Sequence, residues 1–461
     1  MDIPSKYKGR SFYHFTHVDN IESIVENGIL CTNEKNKRGI GHINIANENI
    51  QNRRSEMNVT CEPYGKVHDY VPFYFTARNP MLLGILKRKN IDQPLVVYIA
   101  ISIEKLLEKD VIFTDKSANT AIPPNFYQNP DELDNLSWNL IDNKKWKEEN
   151  NDDLHSRMAE VLVHKRVPIE WIESYVVFNE ICKDKIEEIY EKAGLKKPKI
   201  SYEPYGGKYF YFTKLGMQGR EKETLIAGPR YMNKMYKEVT KEIINKRENN
   251  MIKDGAFENI EDAILKIKEN FCVIDELEGI YNLETSNKEH NKNVSNHTLQ
   301  VVDNLEENEY YNELNKKDKA IVKLAAYLHD IGKGPKSKWK DGIQPTYDDH
   351  PADSMLMIMR ILTEEFNTIS EYEIQKICFL VFYHDLIGDI INKGRSKEEL
   401  LNLEVDENEL NMLIALTIAD VSAINSWWTY KLESALPQFK EEILENDRVC
   451  IRWFFWLWCW Y

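Results

Sequence analysis

The run Arg157-Met158-Ala159-Glu160-Val161-Leu162-Val163-His164 sets a single acid among apolar, β-branched residues. In a strand, alternate side chains point to opposite faces. Ala159, Val161 and Val163 then share one face, and Glu160 and Leu162 share the other, with Glu160 facing inward. A carboxylate on an apolar strand loses hydration unless a charged or hydrogen-bonding group meets it, which suits it to chemistry. The competing reading is a glutamate on the rim of an edge strand. Three upstream stretches bear on the choice: Tyr13-His14-Phe15-Thr16-His17-Val18-Asp19-Asn20, Ile50-Gln51-Asn52-Arg53-Arg54 and Val67-His68-Asp69-Tyr70-Val71-Pro72-Phe73-Tyr74-Phe75. His14 and Thr16 fall on one side of a strand and offer two hydrogen-bonding groups to a ribose or an amide. Arg53-Arg54 reads either as a phosphate clamp or as a solvated helix face.

A second set of residues lies further along: Asn296-His297-Thr298, Leu328-His329-Asp330-Ile331-Gly332-Lys333, Asp349-His350-Pro351, Tyr383-His384-Asp385 and Ala419-Asp420. Imidazole nitrogens and carboxylate oxygens suit first-row divalent ions and Mg. An adjacent His-Asp at a helix end meets a distant His and Asp only if the helices pack together.

The elements that must position these residues differ between the two halves. Ser11–Thr16, Val71–Thr76, Leu95–Ile103 and Ala159–His164 carry strand signals, Asn20–Asn27 reads as a helix closed by Gly28, and Asp131–Asp153 is polar and helix-prone. The first half is therefore α+β. From Tyr236 to Lys268 the composition shifts to Lys, Glu, Ile and Asn, which reads as a helical connector. After Val273 apolar residues recur at three and four, as in Ile321, Leu324, Leu328 and Ile331, so the second half is all-α.

The 461 residues, 42% hydrophobic, suffice for two or three buried cores. Basic and acidic residues number 28 and 31 over 1–205 but 32 and 44 over 206–461, which leaves the first half free to hold a basic groove for nucleic acid. Seven scattered cysteines with no Cys-x-x-Cys pair read as a reduced, cytoplasmic protein. Met1-Asp2-Ile3-Pro4-Ser5-Lys6 lacks the pattern of a signal peptide, and no run reaches about 18 apolar residues, so no membrane partner is expected. The aromatic end, 447–461, is too short to span and is expected to pack or to be an artefact of truncation or frameshift.

In order, the stretches of the first half resemble the DarT family of nucleic-acid ADP-ribosyltransferases over about residues 10–205. The resemblance rests on His-x-Thr-His-x-x-Asn from His14, the Ile50-Gln51-x-Arg53-Arg54 pair, Asp69 to Phe75 with Arg78-Asn79-Pro80-Met81, Phe113-Thr114-Asp115, and Met158 to Val163. It implies an ADP-ribosyltransferase fold that cleaves NAD and attaches ADP-ribose to a base in single-stranded DNA. By this resemblance His14, Thr16 and Asn20 bind the nicotinamide and its ribose, Arg53 is the catalytic arginine and Glu160 the catalytic glutamate. Those roles fit the chemistry. A carboxylate near a breaking glycosidic bond stabilises an oxocarbenium-like sugar and can take a proton from an attacking base nitrogen, while a guanidinium forks onto pyrophosphate. After Phe113-Thr114-Asp115 this chain reads Lys116-Ser117-Ala118-Asn119, where the family pattern varies.

The second set resembles the HD superfamily of metal-dependent phosphohydrolases over about 274–430. The run from Ile274 through His290 to Leu299 looks like the HD domain attached to tRNA nucleotidyltransferases and poly(A) polymerases. The resemblance makes His297, His329, Asp330 and Asp420 ligands of a divalent metal, with His350 and His384 near a second metal or the phosphate and Lys333 on the phosphate. No Gly-Ser precedes an Asp-x-Asp, so polymerase activity is not expected. The resulting expectation is a multidomain chain: a transferase domain over 1–205, a mainly helical connector over 206–273, an HD domain over 274–446 and the tail. Its implied partners are NAD, single-stranded DNA and an antitoxin protein, in a toxin–antitoxin or phage-defence role. Two alternatives stay open: a non-catalytic, nucleotide-binding HD half, or a protein whose two halves act on RNA.

Overall fold

The computed structural model describes residues 2–46, 48–77, 79–143, 150–202, 210–212, 227–249, 254–286 and 292–458. Side chains are described as far as Glu445, apart from those of Glu48, Asn49 and Tyr202. Arg78, His290 and the side chains of the 447–461 tail therefore lie outside the described residues. The chain divides into two compact units, Met1–Gly228 and Pro229–Tyr461.

Runs of β-branched and aromatic residues build the first unit around an eight-stranded sheet. Its strands are β1 (Ser11–His17), β2 (Tyr70–Tyr74), β3 (Val96–Ser102), β4 (Val111–Thr114), β5 (Phe126–Tyr127), β6 (Glu160–His164), β7 (Ile172–Val177) and β8 (Ile200–Tyr202). Their spatial order is β8-β7-β3-β1-β2-β6-β4-β5, and only β7 with β8 is parallel. β6 lies between β2 and β4, with Glu160 opposite Tyr74, so the glutamate is on an interior strand rather than a rim. Val161 and Val163 join Val71, Phe73 and Phe113 in one core, together with Ile21 and Ile24 of helix Ile21–Asn27 and Ile186 of helix Glu180–Lys192. Leu162 packs with Tyr70, Ile112 and Met57 in another. The period of two thus divides the strand as its sequence predicts, with Glu160 on the Leu162 side.

Gly28 closes helix Ile21–Asn27 at φ 76°, and a Cβ there would stand 2.5 Å from the Val167 carbonyl. That close approach lets Ile29-Leu30 pair antiparallel with Arg166-Val167, and Cys31 N then donates to Lys165 O at 2.9 Å. The start of helix Thr32–Arg38 is fixed by this bracket.

The second unit is helical as expected. Ile321, Leu324 and Leu328 are fully buried along helix Lys316–Leu328, which packs with helices Val294–Leu305, Glu371–Tyr383 and Glu407–Ile424. Within the stretch predicted to be a connector, helices Pro229–Asn249 and Ile260–Glu269 belong to this unit. Arg247 donates to the carbonyls of Phe366 and Asn367, and Phe257 N donates to Glu365 O. No helix among the described residues is long and apolar enough to cross a membrane.

Gly39 also has positive φ, 64°, but nothing lies within 4 Å of its missing Cβ. Gly39→Ala is expected to cost about 1 kcal/mol from backbone strain alone, and Gly28→Ala more, because strain and steric overlap add. Thermal unfolding of the two variants side by side measures the difference.

Candidate active site and candidate metal centre

Glu160 opens β6 with no exposed surface. Its Oε1 accepts from Arg54 Nη1 at 2.9 Å and from Ala118 N at 2.8 Å, and its Oε2 accepts from Arg54 Nη2 at 2.9 Å. Thr114 Oγ1 accepts from Glu160 N at 3.1 Å and donates to Lys116 O at 2.6 Å, which ties the 114–118 segment to the strand. Burial opposes the charge on Arg54, but the ionised Glu160 outweighs it, and the guanidinium pKa is raised. Burial and the same carboxylate push the Tyr74 phenol well above its usual range.

Successive residues on a helix point about 100° apart, so only one of two adjacent arginines on Glu48–Glu56 can face the sheet. That residue is Arg54, 6% exposed. Arg53, the arginine singled out from sequence, is exposed on the same helix and forms no hydrogen bond or ion pair with Glu160. The adjacency of the pair was legible in the sequence, but the helical phase that chooses between them was not.

A cavity of about 400 Å³ brings His14, Thr16 and Asn20 together with Arg54. The His14 Nδ1 donates to Pro72 O at 2.9 Å, since a carbonyl can only accept, and this leaves Nε2 as a lone-pair acceptor. Burial lowers His14 to about 4, so it is neutral. Asn20 is fully engaged: Nδ2 donates to Thr16 Oγ1 and to Ile43 O, both at 3.0 Å, and Oδ1 accepts from Ile43 N at 2.8 Å. It therefore fastens the 40–46 segment to β1. Ala118 N, Lys35 and His42 went unnoticed in the sequence, because each acts through a contact between segments that no local pattern marks.

In the second unit six buried side chains converge, His329 and Asp330 from the end of one helix and His297, His350, His384 and Asp420 from four others. His297, His329 and Asp420 form one set of mutually close donor atoms, and Asp330, His350 and His384 form another. Asp330 reaches both: Oδ2 is 3.4 Å from His329 Nε2 and 3.8 Å from His297 Nε2, while Oδ1 is 3.2 Å from His350 Nε2 and 4.0 Å from His384 Nε2. Three rings are aimed the same way. Nδ1 of His329, His350 and His384 donates to the carbonyls of Ala326, Tyr347 and Val381, three residues earlier in each case. Their Nε2 atoms are thereby turned inward, as in ligating histidines.

These residues fit a divalent metal. His350 and His384 present Nε2 to one another at 3.1 Å, and with both Nδ1 atoms already protonated, two lone pairs meet unless a cation or a proton lies between them. Among the described residues His329 Nε2 is buried without a hydrogen-bond partner. The mixed nitrogen and oxygen donors suit first-row ions. Although burial raises it, Asp330 is held well below the carboxylate range by Lys333 and His329, and Asp420 is held at about 2 by His297. Asp330 and Asp420 lift His329 to about 9 against the effect of burial, and burial takes His384 down to about 4. Lys333, expected on a phosphate, donates to Asp330 Oδ2 at 2.6 Å. Gly332 permits this packing, because a Cβ there would sit 2.1 Å from His350 O.

Fold and sites define a chain of two kinds of unit, a mixed-sheet unit with a nucleotide-sized cavity and a helical unit with a buried metal-type cluster. The family model described as ssDNA thymidine ADP-ribosyltransferase, DarT, matches residues 13–211, and that of the HD domain matches 294–421. A DNA ADP-ribosyl transferase of Thermus aquaticus is 31% identical over 182 residues, covering 38% of this chain and 79% of that protein. A DNA ADP-ribosyl transferase–DNA ADP-ribosyl glycohydrolase fusion protein of Thermosipho africanus is 28% identical over 177 residues, 38% of this chain and 44% of that protein. A solved structure of Thermus sp. 2.9 DarT in complex with ADP-ribosylated ssDNA aligns at 26% identity with a TM-score of 0.40, covering 44% of this chain and 97% of that one. The chain belongs to the DarT family of DNA ADP-ribosyltransferases and carries an HD domain in its second half.

Arg54→Met leaves the Glu160 charge buried without its fork and is expected to cost about 3–5 kcal/mol. Arg53→Ala should move stability by less than about 0.5 kcal/mol. Chemical denaturation of both variants checks the assignment. Elemental analysis after equilibration with Mn and gel filtration should find two ions per chain. His350→Ala should retain one, and chelation should lower the melting temperature of the wild type, because an ion bound only by the folded state stabilises it.

Proposed function

We propose that the first unit transfers ADP-ribose from NAD to a base in single-stranded DNA, in the cavity that ends at the Arg54–Glu160 pair. The observation that carries this reading is a buried carboxylate hydrogen-bonded by both Nη atoms of Arg54 and by Ala118 N behind a cavity lined by His14 and Thr16. The Nε2 of His14 can accept from the nicotinamide carboxamide, and Thr16 offers its hydroxyl to the ribose. Breaking the C–N glycosidic bond releases neutral nicotinamide and leaves positive charge on the sugar, which the Glu160 carboxylate stabilises more than it does the ground state. A base ring nitrogen then bonds to the anomeric carbon, and its proton passes to Glu160. Arg53, exposed beside the pair, is available to the incoming strand's phosphates. Single-stranded DNA is favoured because a paired base would first have to be unstacked at a cost of a few kcal/mol.

The second unit is, in this reading, a metal-dependent phosphohydrolase. Two divalent ions would be held by His297, His329 and Asp420 and by Asp330, His350 and His384, and when bound they supply Lewis acidity and an activated water. The complete six-residue set favours catalysis over a purely regulatory, nucleotide-binding role. Lys333 neutralises Asp330 and is placed to meet an anionic substrate. A transferase that marks DNA endangers its own cell, which supports a toxin–antitoxin or phage-defence role in the cytoplasm with a restraining protein partner.

Incubation with labelled NAD and separate pools of single-stranded DNA, duplex DNA and RNA tests the assignment. Label should enter the single-stranded DNA; equal labelling of blunt duplex, or labelling of RNA alone, refutes it. Glu160→Ala should reduce transfer by at least about 10²–10⁴-fold, the usual range for removing a proton acceptor. His329→Ala with Asp330→Ala should abolish Mn-stimulated phosphate release and leave DNA labelling unchanged, since cutting phosphate esters does not cleave an N-glycosidic bond. Higher net labelling by that double variant would instead mean that the second site removes the mark.

A further inference from the structure

Two described cations line the cavity of the first unit, Lys35 and Arg54. Arg54 is neutralised by Glu160. Lys35 differs: its Nζ donates to His42 Nε2 at 3.0 Å, and no described carboxylate forms an ion pair with it. His42 is no substitute counter-ion, because partial burial and the Lys35 charge lower it to about 4 and keep it neutral. The ammonium spends one of its three N–H groups on the imidazole and keeps a full positive charge. Burial also lowers Lys35 itself, as expected of a cation short of an anion.

The position of this charge is set by the fold. Lys35 lies on helix Thr32–Arg38, whose start is bracketed through Cys31 and Lys165. His42 lies on the 40–46 segment, which Asn20 fastens through both hydrogen bonds to Ile43. The cavity thus presents neutral hydrogen-bonding groups at His14 and Thr16 and, at Lys35, a placed cation that no described carboxylate pairs with. A dinucleotide divides in the same way, into a neutral base with its ribose and an anionic pyrophosphate.

We infer that Lys35, steadied by His42, is the anion subsite of this cavity and takes the pyrophosphate of the dinucleotide donor. The inference rests on the reading of this cavity as the NAD site. A phosphate of the DNA strand is the other source of the same chemistry, and the test separates the two.

The full chain and its Lys35→Met, Lys35→Arg and His42→Ala variants are titrated calorimetrically with ADP-ribose, with adenosine and with a single-stranded oligonucleotide. Lys35→Met should weaken ADP-ribose at least about tenfold while adenosine and oligonucleotide move less than about twofold, and Lys35→Arg should restore most of the loss. His42→Ala should weaken ADP-ribose less than Lys35→Met does. The inference falls if Lys35→Met binds ADP-ribose like the wild type, or if it loses adenosine equally, which signals a collapsed pocket. A loss of oligonucleotide instead reassigns Lys35 to the strand. If His42→Ala copies Lys35→Met and Lys35→Arg fails to rescue, the pair merely fastens the 40–46 segment. A wild type that binds no ADP-ribose removes the donor reading itself, an outcome distinct from all of these.

Discussion

An ionised carboxylate with no exposed surface is tolerable in a protein only if its partners return what hydration gave it, and the first unit is arranged around meeting that condition for Glu160. Two guanidinium N–H groups and one backbone N–H do so. The two guanidinium N–H groups come from one helix before β2 and the backbone N–H from the turn after β4, and both meet the carboxylate where β6 begins. A shift of either segment would leave the buried carboxylate short of a partner, so the end of the cavity is arranged before any ligand arrives. Such preorganisation is what electrostatic catalysis requires, because no reorientation is then needed as charge develops.

The second unit meets a related constraint. Four imidazoles and two carboxylates are withdrawn from water, and three of the rings spend Nδ1 on a carbonyl three residues back. The same bond that satisfies the ring's outer nitrogen turns its inner nitrogen toward the others. His350 and His384 then face each other closely enough that a positive centre is wanted between them. The Lys333 ammonium on Asp330 supplies part of that charge from the side. Asp330 divides its two oxygens between the two donor sets, and so holds the centre together.

Much of this was legible in the chain. Period-two alternation around Glu160 predicted an inward carboxylate and two packing faces, and both are found, because pleating is a local property of strand backbone. The order of His297, His329-Asp330, His350, His384 and Asp420 on helix-forming segments predicted a metal-type cluster, because residue type restricts what a converging set of donors can bind. The choice between Arg53 and Arg54 depended on the rotation of one helix about its axis, and adjacent positions in sequence carry no information about that phase.

By itself, then, the sequence determined the fold classes, the chemistry of the donor groups and the identity of the buried acid. These follow from side-chain type and from periodicities of two and 3.6 that any short segment expresses on its own. Only the tertiary structure decided that Arg54 is the partner of Glu160, that Ala118 N completes its cage, that Asp330 serves both halves of the metal-type cluster, and that Asn20 and Lys35 act on the 40–46 segment. Each is a contact between segments distant in the chain or out of phase along it. Such contacts are chosen by packing and by the cost of burying charge, which act on the folded chain as a whole.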